Sequence, residues 1–320
     1  MTTKIVFLDK GSIPSHISFK KMSHLHQWIE FDATASEDIT ERCINADIVI
    51  TNKVVLTAET IAALPTLKHI AVIATGFNNV DVDYCRAHNI SVSNTPGYSV
   101  TSVPEHAFAL IFSLRRHLFG YHNSVMKGDW TQSAHFHGYA AQTFDLKNAQ
   151  LGIIGGGSLG QATASMGRAL GLKVVFADRK NQAPSHRPTY LGFDELIGSS
   201  DIISLHCPLT AATENLISLA EFKKMKPSAL LINTARGGLV DEKDLVVALN
   251  EKLIAGAGFD VATSEPIARD NVLLSLKDNP NFILTPHVGW SSDSSLRCQA
   301  DMVIENIEHF LEDKPLNLVA

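Results

Sequence analysis

Short runs of β-branched and other apolar residues recur along the chain, and longer stretches with helical periodicity lie between them. The apolar runs fall at 5–8, 48–51, 69–74, 90–93, 151–154, 173–177, 202–206, 229–233, 254–259 and 282–285. Several of them are apolar throughout, which is typical of parallel strands that are buried on both faces. The helical stretches include 57–64, 159–170 and 241–250. This alternation of strands and helices predicts an α/β fold with right-handed crossovers.

The predicted elements fall into two groups, which suits a chain of 320 residues. The last six strands form two sets of three and predict a Rossmann-type, doubly wound parallel sheet, while the first four predict a smaller α/β domain. A long helix is predicted between the groups at 104–119, with Ser102 and Glu105 at the spacing of a capping box. A final amphipathic helix is predicted at 294–311, and its pattern alone fits a position on either domain.

The charge and the cysteine pattern exclude several classes of partner. The formal net charge of −6 argues against binding to nucleic acid, which needs a basic surface. The first nine residues lack the features of a signal peptide, and no apolar stretch reaches the ~18–20 residues that span a bilayer. The four cysteines are far apart and form no CxxC pair, which favours small buried side chains in a reducing compartment. We therefore expect a cytoplasmic protein without a membrane partner.

A glycine-rich turn follows the strand at 151–154 and opens the next helix. It places Gly155, Gly157 and Gly160 in the pattern GxGxxG. The first glycine permits a tight turn, the second lets the backbone approach a pyrophosphate, and the third lets helix and strand pack closely. The N–H groups at the start of the helix then face the phosphates. This turn predicts dinucleotide binding.

The next strand, 173–177, ends in Asp178, where a carboxylate accepts hydrogen bonds from an adenosine ribose. Its charge should repel a 2′-phosphate, so NAD is expected rather than NADP. Arg179 beside it leaves the choice less strict, because a guanidinium either stacks on adenine or tolerates a phosphate.

Three polar residues follow apolar strands and are expected at one edge of the sheet: Arg236, Glu265 and His287. In an open α/β sheet, ligands bind beyond the carboxyl ends of the strands. An arginine can hold a carboxylate and polarise a ketone, and a histidine can give or take a proton. A glutamate can orient the imidazole. The set predicts reduction of a 2-keto acid.

At this point the chain resembles the D-2-hydroxyacid dehydrogenase family, most closely its glycerate dehydrogenase (hydroxypyruvate reductase) branch. The resemblance runs from about 48 to about 299 and rests on seven motifs. They are TNK at 51–53, ATGFNNVD at 74–81, NTPGYS at 94–99, the glycine turn, ARGGLVDE at 235–242, DVATSEP at 260–266 and TPHVGW at 285–290.

The resemblance implies two domains and a homodimer. A flavodoxin-like substrate domain would comprise 1–99 and 291–320, and an NAD-binding Rossmann domain would comprise 100–290. Members of the family are usually dimers joined through the coenzyme domain. The stretch 135–143 departs from the family pattern, and in related enzymes this region helps to build the dimer.

The resemblance also assigns roles to single residues. Arg236 would bind substrate, Glu265 would be the partner of the base, and His287 would be the acid/base. The substrate carboxylate would meet mainly backbone N–H groups of Thr75, Gly76 and Phe77, while Lys53 is either a second contact for that carboxylate or a surface amine. Besides the three glycines and the pair at the end of the second strand, the residues expected to line the cofactor are Thr101, Ser158, Leu159, Cys207, Pro208, Thr213, Thr234, Ala235, Asp260 and Gly289, with Asp260 facing the nicotinamide carboxamide.

Several alternatives stay open at this stage. The reaction expected first is hydroxypyruvate to D-glycerate, with glyoxylate to glycolate next and a short type of phosphoglycerate dehydrogenase as a further option. An NAD(H)-responsive, corepressor-like binding protein is the rival from another class, because transcriptional corepressors of the family keep the same trio. No metal is expected, since no Cys, Asp or Glu completes a ligand set beside the histidine pairs 24/26 and 135/137.

Overall fold

The computed structural model describes residues 2–183, 185 and 187–320. The strands found there are β1 (Thr3–Phe7), β2 (His26–Glu30), β3 (Ile48–Thr51), β4 (His69–Val72), β5 (Ser91–Ser93), β6 (Gln150–Ile154), β7 (Lys173–Ala177), β8 (Tyr190–Leu191), β9 (Ile202–Leu205), β10 (Leu230–Asn233), β11 (Gly256–Phe259) and β12 (Phe282–Leu284). The α-helices are α1 (Ile39–Cys43), α2 (Ala58–Ala62), α3 (Val82–Ala87), α4 (Ser102–Arg115), α5 (Leu118–Lys127), α6 (Ser158–Ala169), α7 (Phe193–Ser199), α8 (Leu219–Phe222), α9 (Glu242–Asn250) and α10 (Asp293–Leu311).

The chain divides into two compact units. The first unit is Met1–Tyr98 with Ser291–Ala320, and the second unit is Ser99–Trp290. Among the described helices, none combines the length and the apolar character needed to cross a membrane.

The first unit is built on a five-stranded, all-parallel sheet of order β2-β1-β3-β4-β5. This is the flavodoxin-like order. The central strands β3 and β4 are buried along their whole length, as their continuous apolar runs predicted. Helix α10 packs on β4, and its Asn306 donates to the carbonyl oxygen of Asn94 at 2.8 Å. The last helix therefore belongs to the first unit, which its periodicity alone left open.

The second unit is built on a seven-stranded parallel sheet of order β12-β11-β10-β9-β6-β7-β8. The chain order reverses between the neighbouring strands β6 and β9, which pair from Leu151 with Ile202 onward. Such a reversal opens a crevice at the carboxyl ends of the two strands. Helices α4 and α6 pack beside this sheet, with Phe108 and Ala164 in the same core. The predicted α/β fold with a Rossmann-type sheet and a smaller flavodoxin-like unit is confirmed.

The predicted single helix at 104–119 is wrong. Helix α4 ends at Arg115, His117 adopts a left-handed φ of +50°, and α5 begins at Leu118. The capping box predicted from Ser102 and Glu105 does not form either. Ser102 is itself the first helical residue, and its hydroxyl donates to the carbonyl oxygen of Trp290 at 3.3 Å.

Candidate functional site

The turn after β6 has the shape that its three glycines predicted. Gly155 has φ +108°, and a Cβ there would lie 2.5 Å from the carbonyl carbon of His206, so only glycine fits. A Cβ on Gly160 would overlap the carbonyl oxygen of Gly155, and its absence lets α6 start close against β6. Gly157 is the N-cap of α6, and the position of its missing Cβ faces open space. The first N–H groups of α6 thus border a space that fits a pyrophosphate.

Asp178 lies at the end of β7 and is only 5% exposed. Its carboxylate accepts hydrogen bonds from the Ser185 N–H at 2.8 Å and from Arg187 Nη2 at 3.3 Å. These bonds, those of Ser185 first, lower the pKa of Asp178, so the group is ionised. The Arg187 guanidinium also stacks on the ring of Tyr190, 3.7 Å from its centroid. Asp178 lies at the end of β7, as predicted, and the exposed Arg179 follows it. Its carboxylate is already paired with the Arg187 guanidinium.

Arg236 follows β10 in a turn that Asn233 holds together. The Asn233 side chain is fully buried, accepts from the Ala235 N–H at 3.1 Å and donates to the Arg236 carbonyl oxygen at 2.9 Å. The Arg236 guanidinium donates to the Ala235 carbonyl oxygen at 2.7 Å. A polar residue at the end of an otherwise apolar strand therefore fixes the backbone that carries the guanidinium.

The loop with Arg236 lies directly against the loop that follows β11. A Cβ on Gly237 would overlap the carbonyl group of Ala262 and the nitrogen of Thr263. Glycine at this position is thus required by a close approach of two backbones. The second loop continues to Glu265, so the approach brings the guanidinium loop and the carboxylate loop together.

Glu265 and His287 are joined by a short contact between their side chains. Glu265 Oε2 lies 2.6 Å from His287 Nδ1, and Glu265 Oε1 accepts from the Ala262 N–H at 3.0 Å. The two side chains remain partly open, 38% and 26% exposed respectively. Because Nδ1 is engaged by the carboxylate, Nε2 is the ring atom left for a substrate.

The charge state of Glu265 follows from its neighbours. Burial would raise the pKa of this carboxyl, but the hydrogen bond and charge of His287, the Ala262 N–H and the charge of Arg236 outweigh burial, and the pKa is lowered. The group is therefore an anion at neutral pH.

The remaining residues predicted to line a cofactor lie mainly at the carboxyl edge of the second unit's sheet. Thr101 is the N-cap of α4, and Ser158 and Leu159 open α6. The others follow strands: Cys207, Pro208 and Thr213 after β9, Thr234 and Ala235 after β10, Asp260 after β11, and Gly289 after β12. The Thr234 hydroxyl is buried and has no hydrogen-bond partner within the described residues, which fits a group completed by a ligand. Contact of these residues with a nucleotide stays a prediction.

Four of the residues predicted to bind the substrate, Lys53, Thr75, Gly76 and Phe77, lie in the first unit. Lys53 follows β3, and its backbone N–H donates to Asp9 Oδ2 at 2.7 Å. Thr75 follows β4, and its hydroxyl donates to the Thr95 carbonyl oxygen at 3.1 Å. No hydrogen bond within the described ranges uses the N–H of Gly76 or Phe77. The loop at 75–77 is thus anchored through Thr75 and leaves two donors for a ligand.

Sequence reasoning missed two side chains that contact residues predicted to line the cofactor, Asp178 and Asp260. Arg187 pairs with Asp178 across a loop whose polar composition gave no signal. His106 on α4 lies 2.9 Å from the hydroxyl of Thr285 and 3.4 Å from Asp260 Oδ1. Its one signal is a histidine beside the apolar face of a predicted helix, which alone does not indicate a partner.

Known proteins resemble this chain along its whole length. The family model for "D-isomer specific 2-hydroxyacid dehydrogenase, NAD binding domain" matches residues 108–289. The chain is 42% identical over 320 residues to the glycerate dehydrogenase of Methylorubrum extorquens, covering 100% of this chain and 99% of that protein. It is 38% identical to the hydroxypyruvate reductase of Blautia hydrogenotrophica, covering 99% of both. A solved structure of an acyclic imino acid reductase, in complex with NADPH and D-Arg, matches with a TM-score of 0.85 at 30% identity, over 99% of this chain and 100% of the other.

An open turn lined by helix N–H groups, with an ionised acid at the end of the next strand, is the architecture of a dinucleotide-dependent oxidoreductase. The chain belongs to the D-isomer specific 2-hydroxyacid dehydrogenase family. It is an NAD-dependent enzyme that acts on small 2-hydroxy acids. The predicted family, enzyme class and cofactor are confirmed.

Proposed function

We propose that this enzyme reduces hydroxypyruvate to D-glycerate with NADH, and that glyoxylate is a second, poorer substrate. The observation that carries the proposal is the 2.6 Å contact between Glu265 and His287, which leaves His287 Nε2 for the reacting oxygen. Relatives named glycerate dehydrogenase and hydroxypyruvate reductase support this choice of substrate.

The chain's own groups divide the work of the reaction. When bound, NADH supplies the hydride that C2 of the keto acid receives. His287 donates the Nε2 proton to the oxygen on C2, and Glu265 holds the Nδ1 proton and stabilises the charged ring before transfer. Arg236 binds the carboxylate and polarises the ketone with its planar, forked donors. Binding of a carboxylate by the N–H groups of Gly76 and Phe77 in the first unit stays a separate prediction.

The direct test is a panel of 2-keto acids assayed with NADH by its absorbance. We expect the highest kcat/KM with hydroxypyruvate, a lower value with glyoxylate, and low values with pyruvate, 3-phosphohydroxypyruvate and 4-methyl-2-oxopentanoate. A preference for the phosphorylated or the branched acid would refute the proposed substrate and leave the enzyme class intact. Failure of the whole panel to react would refute the proposed reaction.

Cofactor choice gives a first expected result. Wild-type enzyme should show a higher kcat/KM for NADH than for NADPH, because Asp178 carries a negative charge where a 2′-phosphate would sit. The variant Asp178→Ala should narrow that gap, since it removes a ribose acceptor and a repulsive charge while Arg187 remains. Asp194→Ala, which removes an exposed carboxylate paired with Lys224, serves as control and should leave the ratio unchanged. Equal wild-type values for both cofactors would contradict the assignment.

The pH dependence of reduction gives a second expected result. Glu265 can hold the Nδ1 proton of His287 only as an anion. Burial would raise the pKa of Glu265, but the hydrogen bond and charge of His287, the Ala262 N–H and the charge of Arg236 lower it. The rate of reduction should therefore persist as the pH falls through the ordinary titration range of a glutamate and decline only below that range. Glu265→Gln has no ionisable group at this position, so kcat/KM should be lower at neutral pH and this acid limb should be absent. An acid limb that is unchanged in the Gln variant would show that another group sets it.

The homodimer expected from the family is proposed to form through the second unit. Large apolar side chains on α5 and the segment after it are half or more exposed: Leu118, Phe119, Met126, Trp130, Tyr139 and Phe136, the last at 91%. Large apolar side chains that are exposed within one stretch of the chain favour a protein interface there. Sedimentation should give about twice the chain mass of 34.8 kDa. A single-chain mass at micromolar concentration would rule the dimer out.

A further inference from the structure

Asp260, which is predicted to face a cofactor, also binds several groups of the protein itself. It follows β11, is 2% exposed and has four partners in the protein. The N–H groups of Val288 and Gly289 donate to its two oxygens at 3.0 and 2.7 Å. Burial would raise its pKa, but the bonds from His106, Thr285, Val288 and Gly289 lower it, so the carboxylate is an anion.

The two N–H donors belong to the turn that carries His287. His287 adopts a left-handed φ of +56°, a conformation that few residues other than glycine take up without support. Successive N–H groups after such a residue form a concave anion site. Asp260 fills that site. The carboxylate therefore holds the backbone of the turn and, through it, the direction of the imidazole.

Thr285 and His106 fix Asp260 from the other side. The Thr285 hydroxyl donates to Asp260 Oδ1 at 2.5 Å, so its oxygen is the acceptor for His106 Nε2 at 2.9 Å. His106 is on α4, and Thr285 is two residues before His287. The chain of bonds thus runs from a helix through a hydroxyl and a carboxylate to the turn that carries His287.

The packing around Gly289 shows how little room this network leaves. A Cβ at that position would lie 2.9 Å from Asp260 Oδ2 and 3.4 Å from the Cβ of His106. Trp290 Nε1 also donates to the His287 carbonyl oxygen at 2.8 Å. The backbone on both sides of the turn is therefore held.

We infer that His106 and Thr285 are positioning residues for proton transfer: they orient Asp260, which locks the turn that aims His287 Nε2. The inference rests on the proposed role of His287 as proton donor. It assigns to the helix residue His106 a part in catalysis without contact with substrate. A displacement of a reacting group by about 1 Å can cost about 10²-fold in rate.

Two matched pairs of variants test the inference. Thr285→Val keeps the shape of the side chain and removes its hydroxyl, whereas Thr285→Ser keeps the hydroxyl. His106→Leu removes the donor, whereas His106→Gln places an amide N–H near the former Nε2. The measurements are kcat and KM for hydroxypyruvate, NADH affinity by fluorescence quenching, thermal unfolding, and the solvent isotope effect on kcat in D2O.

We expect Thr285→Val and His106→Leu to lower kcat by about 10- to 100-fold, while KM for hydroxypyruvate and NADH affinity change by less than about 3-fold. The solvent isotope effect should rise, since a misaimed His287 makes proton transfer slower. The conservative variants Thr285→Ser and His106→Gln should keep most of the wild-type kcat. A merely structural role would lower the unfolding temperature and leave kcat per folded enzyme and the isotope effect unchanged.

Other results of these measurements would overturn the inference or the proposed function. Unchanged kcat in both Val and Leu variants overturns the inference, and so does a loss that Ser and Gln fail to restore. If Thr285→Val does not fold, the comparison of His106→Leu with His106→Gln decides alone. The proposed function fails separately, if wild-type enzyme does not reduce hydroxypyruvate or if removal of the His287 imidazole leaves the rate intact.

Discussion

The variant His287→Ala is expected to lose about 10²- to 10⁴-fold in kcat for keto-acid reduction at every pH, the range that general acid catalysis contributes. The reason is that His287 Nε2, the ring atom left open by the Glu265 contact, is the proposed proton donor, and alanine offers no substitute. NADH affinity should stay close to that of wild type, because the glycine turn and Asp178 are unaffected. The measurements are single-turnover reduction and NADH titration.

A matched control separates loss of the proton donor from loss of any histidine. His309→Ala removes a histidine of α10 whose ring, within the described part of the chain, bonds to the Glu305 carbonyl oxygen four residues earlier and to no other group. Its kcat should equal that of wild type. A His287→Ala variant with near-normal turnover would mean that another group or water delivers the proton.

Arg236→Lys should lower kcat/KM for hydroxypyruvate by about 10²-fold, although the positive charge is kept. An ammonium group cannot reproduce the planar, forked donors that hold a carboxylate and a ketone oxygen at once. Most of the loss should appear with the keto acid, and NADH affinity should change far less. Steady-state kinetics, with the keto acid and NADH varied in turn, will separate the effect on the keto acid from the effect on NADH.

The surface variant Arg168→Lys is the matched control, because Arg168 stands in the last turn of α6 and has no predicted part in binding. It should leave kcat/KM unchanged. Near-normal kcat/KM in Arg236→Lys would show that a point charge suffices and that the substrate anchor lies elsewhere.

Most of the fold follows from the sequence, because the central strands of both sheets are buried on two faces and are mostly apolar. The strands that pattern reasoning missed are at sheet edges. Strand β2 has the sequence HQWIE and is only partly buried, so its polar residues hide the strand signal. Strand β8 has two residues. The break after Arg115 was missed because the apolar pattern continues through Leu118 into α5, across a left-handed residue that periodicity does not detect.

The site was predicted as a set of residues at strand ends, and the structure adds how they are held. The glycine pattern and the polar trio are local signals, and local signals can be read from one chain. The contact between Gly237 and Ala262, and the bonds of His106 to Thr285, join residues far apart in sequence. Such pairs are set by tertiary packing, which no spacing along the chain encodes.

The close approach at Gly237 also bears on how this enzyme can be redesigned. Since the backbone after β10 lies in contact with Ala262, the spacing of the loops that carry the guanidinium and the carboxylate is set by backbone atoms and not by side chains. An engineer who wants a larger keto acid should leave 236–265 untouched. The accessible changes are side chains that neither loop clamps, and a library directed at position 237 should return glycine alone.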